Sequence, residues 1–160
     1  MAIKVMIIDD SALVRRFLTE VLNSDSDIEV LNTAMNPVFA LEKLAKGPLP
    51  DIITLDVEMP EMDGVTFLKK LSPLYDIPVI MFSSVTESGA ETTLNALKNG
   101  AFDFVTKPKG NLSSSLEELK QQLIPKIKEA YAYKQRKESK KKSYSPTPLL
   151  TQKPKPSVSK

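Results

Sequence analysis

The sequence predicts a doubly wound α/β domain, and three observations carry that expectation. Five short runs rich in Val, Ile, Leu, Met and Phe fall at residues 3–8, 28–33, 51–56, 77–83 and 102–106. Within them, 3–8, 52–55 and 79–82 are nearly unbroken apolar stretches, as expected of strands covered on both faces. Helical stripes separate the runs, so strand and helix alternate along the chain.

The elements follow in order. Strand 3–8 leads to Asp9 and Asp10. Ser11 is placed to cap the first helix, whose stripe is Leu13, Phe17, Leu18, Val21 and Leu22. Strand 28–33 precedes a stripe of Val38, Leu41, Leu44 and Ala45, with Gly47 where a C-cap is wanted. Strand 51–56 ends on Asp56, and Val65, Leu68 and Leu71 mark the third helix. Strand 77–83 ends on Ser83. Thr93, Leu94 and Leu97 mark the fourth helix, with Gly100 at its C-cap. Strand 102–106 leads to Lys107 and Pro108, and Leu116, Leu119, Leu123 and Ile127 mark the fifth helix. Pro125 either kinks that helix or ends it. Right-handed crossovers leave two reasonable strand orders, and the flavodoxin-like 2-1-3-4-5 is preferred at this size.

The charge divides the chain in two. Residues 1–125 carry 11 Lys+Arg against 18 Asp+Glu, a net of −7; residues 126–160 carry 11 against 2, a net of +9. The expected organisation is a domain at 1–125, its last helix extendable to about 135, followed by a flexible basic Pro/Ser/Lys linker at 136–160. The absence of Cys excludes disulfides and thiolate chemistry and suits a reducing, cytoplasmic setting. The start MAIKVMIIDD reads as neither a secretory signal nor a membrane span. The absence of His excludes a Ser-His-Asp triad, an imidazole base and a His metal site within these residues.

A parallel sheet gathers Asp9, Asp10, Asp56, Ser83 and Lys107 at one edge, where open α/β sheets bind ligands. Adjacent carboxylates repel, and a cation relieves the repulsion. Oxygen-only ligands point to Mg²⁺. Asp10 and Asp56 would bind it directly, Asp9 through water, and the backbone carbonyl of Glu58 would complete the set. Taken alone, Asp9 and Asp10 fit equally well as a cap of the first helix; Asp56 at the same edge favours the cation. Asp56 is the candidate nucleophile, since a carboxylate can attack phosphorus and form an acyl phosphate. Such a transfer needs positioning and charge neutralisation more than a base. Lys107 would supply part of that charge and Ser83 a hydrogen bond to a phosphoryl oxygen. The ordinary roles, a solvated amine and a strand-end turn former, fit each residue singly better than both at matching strand ends. Pro60 and Gly64 mark a tight loop after Asp56. Pro108 makes the peptide after Lys107 rigid, in either isomer. Phe104 reads as a core aromatic or as a switch whose rotamer answers to phosphorylation.

The segments DDSALVR, LDVEMPEMDG, VIMFSS and GAFDFVTKP resemble the receiver domains of two-component response regulators over residues 1 to about 125. The resemblance implies a phosphorelay in which a histidine kinase phosphorylates Asp56 with Mg²⁺, after which Ser83 and Phe104 shift. By position, Asp9 and Asp10 become metal-site residues, and Lys107 the phosphate-contacting amine. The longer wording of DSALVRR, TLDVEMPEMDGVTFLKKL and SSVTESGAETTL resembles the chemotaxis protein-glutamate methylesterase family. That likeness implies a sensor histidine kinase of a chemotaxis array, chemoreceptors as targets, and a methylesterase/glutaminase domain in the parent protein. These 160 residues are not themselves expected to hydrolyse the ester, having no His and no second α/β pattern.

Three other readings compete. A free-standing response regulator would bind a motor, kinase or receptor complex when phosphorylated. A DNA-binding regulator would use Lys134 to Lys142, but those residues show no helix-turn-helix pattern, so no specific nucleic-acid partner is expected. A carboxylate-nucleophile phosphatase would turn over phosphate esters rather than form one acyl phosphate per chain.

Overall fold

The computed structural model describes residues 2–57, 59, 62–83, 87–107 and 116–144. Ten elements alternate: β1 (Ile3–Ile8), α1 (Ala12–Asn23), β2 (Ile28–Ala34), α2 (Pro37–Lys46), β3 (Ile52–Asp56), α3 (Gly64–Leu71), β4 (Val79–Ser83), α4 (Glu87–Lys98), β5 (Asp103–Thr106) and α5 (Leu116–Tyr144). The strands form one parallel sheet of order β2-β1-β3-β4-β5, as the sequence predicts.

Side chains alternate across a strand, so β1 to β4 each feed two cores, while β5 buries Val105 on one side alone. Val5, Ile7, Ile52, Ile80, Phe82 and Val105 pack with α1 and α5 on one side. Met6, Ile8, Ile53, Leu55, Val79 and Met81 pack with α2, α3 and α4 on the other. The helices start where caps begin them. The side chains of Ser11, Asn36 and Asp63 accept hydrogen bonds from the N–H groups of Val14, Phe39 and Thr66. Gly47 caps α2 at a positive φ of 67°, open to glycine at little cost.

Three predicted stripes are narrower than expected. Leu13, Val38 and Leu94 point outward, whereas Ala40 joins Leu44 among the buried residues of α2 and Ala96 is buried on α4. A small residue lets those helices approach the sheet closely, a signal that hydropathy spacing underweights.

The last helix departs furthest from expectation. α5 continues through Pro125 as one element and reaches Tyr144, beyond the predicted limit near 135 and into the segment expected to be flexible. A proline in a helix interior costs about 3 kcal/mol. Here the buried stripe Leu119, Leu123, Ile127 and Ala130 resumes in register beyond it, and that burial offsets the lost hydrogen bond. Residues 134–144 are mostly Lys, Arg, Gln, Glu and Ser, with neither Gly nor Pro, so their polarity masks a good helix propensity. Lysines of this helix meet aspartates at the amino-terminal edge of the sheet. Lys128 pairs with Asp25 and Asp27 at 3.1 and 3.4 Å, Lys134 with Asp51 at 3.7 Å, and Lys137 with Asp76 at 3.0 Å. No helix among the described residues is long and apolar enough to cross a membrane.

Candidate functional site

The parallel sheet brings the strand-end residues together. Asp9 follows β1, Asp56 closes β3, Ser83 closes β4 and Lys107 follows β5. The register pairs Ile8 with Leu55, Asp56 with Phe82, and Ser83 with Thr106, which levels the strand ends. Carboxylate oxygens of Asp9, Asp10 and Asp56 lie within 4.8 Å of one another. Asp9 and Asp56 are 1% exposed and Asp10 faces solvent. Lys107 Nζ donates to Asp56 Oδ1 at 3.0 Å and lies 5.7 Å from the centre of the Phe82 ring.

Asp9 is held on several sides. Its N–H donates to the carbonyl of Ala34, continuing the sheet by one bond. Its Oδ1 accepts from Ser11 N–H at 2.9 Å, and its carbonyl accepts from Arg15 Nη1 at 2.8 Å. Its Oδ2 is buried with no hydrogen-bond partner among the described residues. Burial raises the Asp9 carboxyl above the ordinary aspartate value, and the neighbouring Asp10 charge adds to the rise; the Ser11 N–H, Lys107 and Arg15 oppose it. A buried carboxylate oxygen without a donor, next to two more carboxylates, matches the ligand chemistry of a hard divalent cation.

Gly64 sets how closely α3 approaches this edge. A Cβ there would meet the Asp56 carbonyl oxygen at 2.6 Å and Met81 Cε at 2.9 Å. The Gly64 N–H donates to the Val57 carbonyl at 2.9 Å. The missing side chain is therefore a packing requirement behind the Asp56 strand, more than a turn preference.

The structure gathers Asp9, Asp10, Asp56 and Lys107, with Ser83 buried at the end of the adjoining strand and Gly64 behind Asp56. Phe104 stands apart, 36% exposed on β5. That excludes the ordinary core role. Glu58, Pro60 and Pro108 lie outside the described residues, as does the chain from 145 to 160. Two contributors escape a motif reading. Arg15 holds the Asp9 backbone, and Lys126 contacts Phe104. Each is one basic residue on a helix face, and no spacing rule marks it.

A parallel five-stranded sheet with clustered carboxylates and a lysine at its carboxyl edge is the architecture of a phosphorelay receiver, and residues 5–121 match the model of the response regulator receiver domain. The chain belongs to that family, whose members generally bind Mg²⁺ at an acidic pocket. Within it the similarity runs to protein-glutamate methylesterase/protein-glutamine glutaminases. The enzyme of that name from Hydrogenovibrio crunogenus is 54% identical over 128 residues, covering 80% of this chain and 34% of its own length. Its counterpart from Bacillus subtilis is 43% identical over 158 residues, 99% of this chain and 44% of its own length. The chain thus spans about a third to under half of these curated relatives. The crystal structure of the response regulator domain of Thermotoga maritima CheB superposes with a TM-score of 0.72 at 40% identity, covering 82% of this chain and 98% of that one.

Proposed function

We propose that this chain is the phosphoryl-accepting switch of a chemotaxis methylesterase system, with Asp56 as the acceptor. The observation that carries the reading is the convergence of three carboxylates within 4.8 Å, one of them 3.0 Å from Lys107 Nζ. An oxygen of Asp56 bonds to phosphorus as the P–N bond of a phosphohistidine breaks, and the electron pair leaves with the imidazole nitrogen. Lys107 then pairs with a phosphoryl oxygen instead of the Asp56 carboxylate, so its charge stays neutralised. Ser83 donates a hydroxyl hydrogen bond to another phosphoryl oxygen. Asp9, Asp10 and Asp56, with the Glu58 carbonyl, are the residues that would hold Mg²⁺. The ion supplies positive charge against the crowded carboxylates and the phosphoryl oxygens.

The phosphoryl donor is a sensor histidine kinase of a chemotaxis array. The controlled output is a methylesterase/glutaminase acting on chemoreceptors. The names of the relatives and the alignment of the Bacillus subtilis protein across 99% of this chain support that output. The work is intracellular, on the cytoplasmic side.

The test uses beryllofluoride with Mg²⁺ as a phosphoryl mimic, followed by NMR, and a chemotaxis kinase labelled with ³²P on histidine as donor. Wild type should respond to the mimic only with Mg²⁺ and should take up label. Asp56→Asn should do neither. A mutant that responds and labels as wild type does would show that Asp56 is not the acceptor.

A further inference from the structure

An edge strand leaves backbone groups with no neighbouring strand. β5 is the last strand of the sheet, and at Phe104 two side chains take the place of a neighbour. Phe104 N–H donates to Asp103 Oδ1 at 2.7 Å, and the Phe104 carbonyl accepts from Lys126 Nζ at 2.6 Å. Lys126 Nζ lies 3.3 Å from the same Asp103 Oδ1, which closes a ring of contacts. It also sits 5.1 Å from the centre of the Phe104 ring. One ammonium therefore holds the carbonyl, the preceding acid and the aromatic side chain at a single position. Three residues further along, Lys107 is paired with Asp56.

We propose that Asp103 and Lys126 form a clamp that holds Phe104 in its half-exposed position, making Lys126 a positioning residue for phosphoryl acceptance at Asp56. The inference rests on the phosphoacceptor reading given above. The clamp belongs to a state in which Lys107 is engaged by the Asp56 carboxylate. A phosphoryl group on Asp56 draws that ammonium to itself and so favours a different setting of β5. Contacts that stabilise one state weaken a ligand of the other by the same free energy. Arg and Lys both supply the charge over the ring, whereas a neutral chain of equal length does not.

Lys126→Met keeps the aliphatic stem and removes the ammonium. With beryllofluoride and Mg²⁺ as the probe, its dissociation constant should fall about two- to fivefold, the range one exposed cation–π contact supports. Lys126→Arg should restore the wild-type value. In a Phe104→Leu background the gain should vanish. An unchanged constant in Lys126→Met, or an equal gain with and without Phe104, overturns the clamp. A normal wild-type response matched by Lys126→Met removes the clamp alone. A normal response in Asp56→Asn removes the phosphoacceptor reading and the clamp together.

Discussion

The two edges of this sheet treat charge in opposite ways. At the carboxyl edge, Asp9 and Asp56 are buried among like charges, and Asp9 keeps one oxygen without a hydrogen-bond partner among the described residues. At the amino edge, Asp25, Asp27, Asp51 and Asp76 each meet a lysine of α5. Those pairs all keep some contact with water and are individually weak. Buried, crowded carboxylates cost stability unless something neutralises them. Under the proposed function the carboxyl edge receives a cation and a phosphoryl group, while the amino edge fastens a helix. The same residue type performs both tasks, and burial separates them.

Three perturbations test that contrast, and the largest effect belongs to Gly64. Gly64→Ala pushes a methyl into the Asp56 carbonyl and Met81, and should cost about 1–3 kcal/mol in chemical denaturation. The matching change at Gly47 meets nothing within 4 Å, although its positive φ still resists a side chain. Equal losses at the two glycines would contradict tighter packing behind the site.

Next comes pH, where the edges should show opposite slopes. The raised Asp9 value means its contribution to stability is complete below the ordinary 3.8 and is lost as pH rises through the folded value. Asp25 is lowered, first by the Asp27 N–H and then by Lys128. Its contribution is complete above 3.8 and is lost as pH falls through the folded value. Carboxyl-carbon NMR titration without Mg²⁺ should place Asp9 above and Asp25 below that reference. Asp9→Asn should make the metal-free protein more stable at neutral pH. Shifts of the same sign at both sites would dissolve the contrast.

The smallest effect is expected at the amino edge. Lys137→Ala removes a pair that is 43% and 65% exposed, and should cost about 0.2–1 kcal/mol, fading in high salt. A loss of several kcal/mol, insensitive to salt, would show that this edge is not merely a fastening.

The carboxyl-edge cluster was legible because each candidate residue lies at the end of an apolar run, and a parallel sheet aligns run ends. Asp9, Asp56, Ser83 and Lys107 needed only strand order to come together, and crossover handedness narrowed that order to two, of which domain size favoured the one observed. What stayed illegible depends on a second element. Lys126 gains its contacts only when α5 lies beside β5, and Arg15 only when α1 turns back over Asp9. The reach of α5 was missed for another reason. Its distal turns contain many charged helix formers and little apolar surface, so composition resembled a solvated linker. The exposed Phe104 shows the same limit: its strand pattern suits a core, but an edge strand has no covering neighbour.

The length of α5 has a mechanical consequence. Its 29 residues span about 43 Å, whereas a six-residue strand spans about 20 Å. The helix runs well past the sheet as a stiff rod. Lys128, Lys134 and Lys137 fasten it along the amino edge, so only the last seven residues, 138–144, extend past those pairs, over about 10 Å. A tilt of the whole helix by about three degrees about its start at Leu116 would move its far end by roughly 2 Å and carry the lysine pairs with it, a displacement comparable to the helix shifts that separate signalling states. A rearrangement too small to notice at β5 would be magnified at the far end of the rod, on the side of the domain opposite the carboxylates.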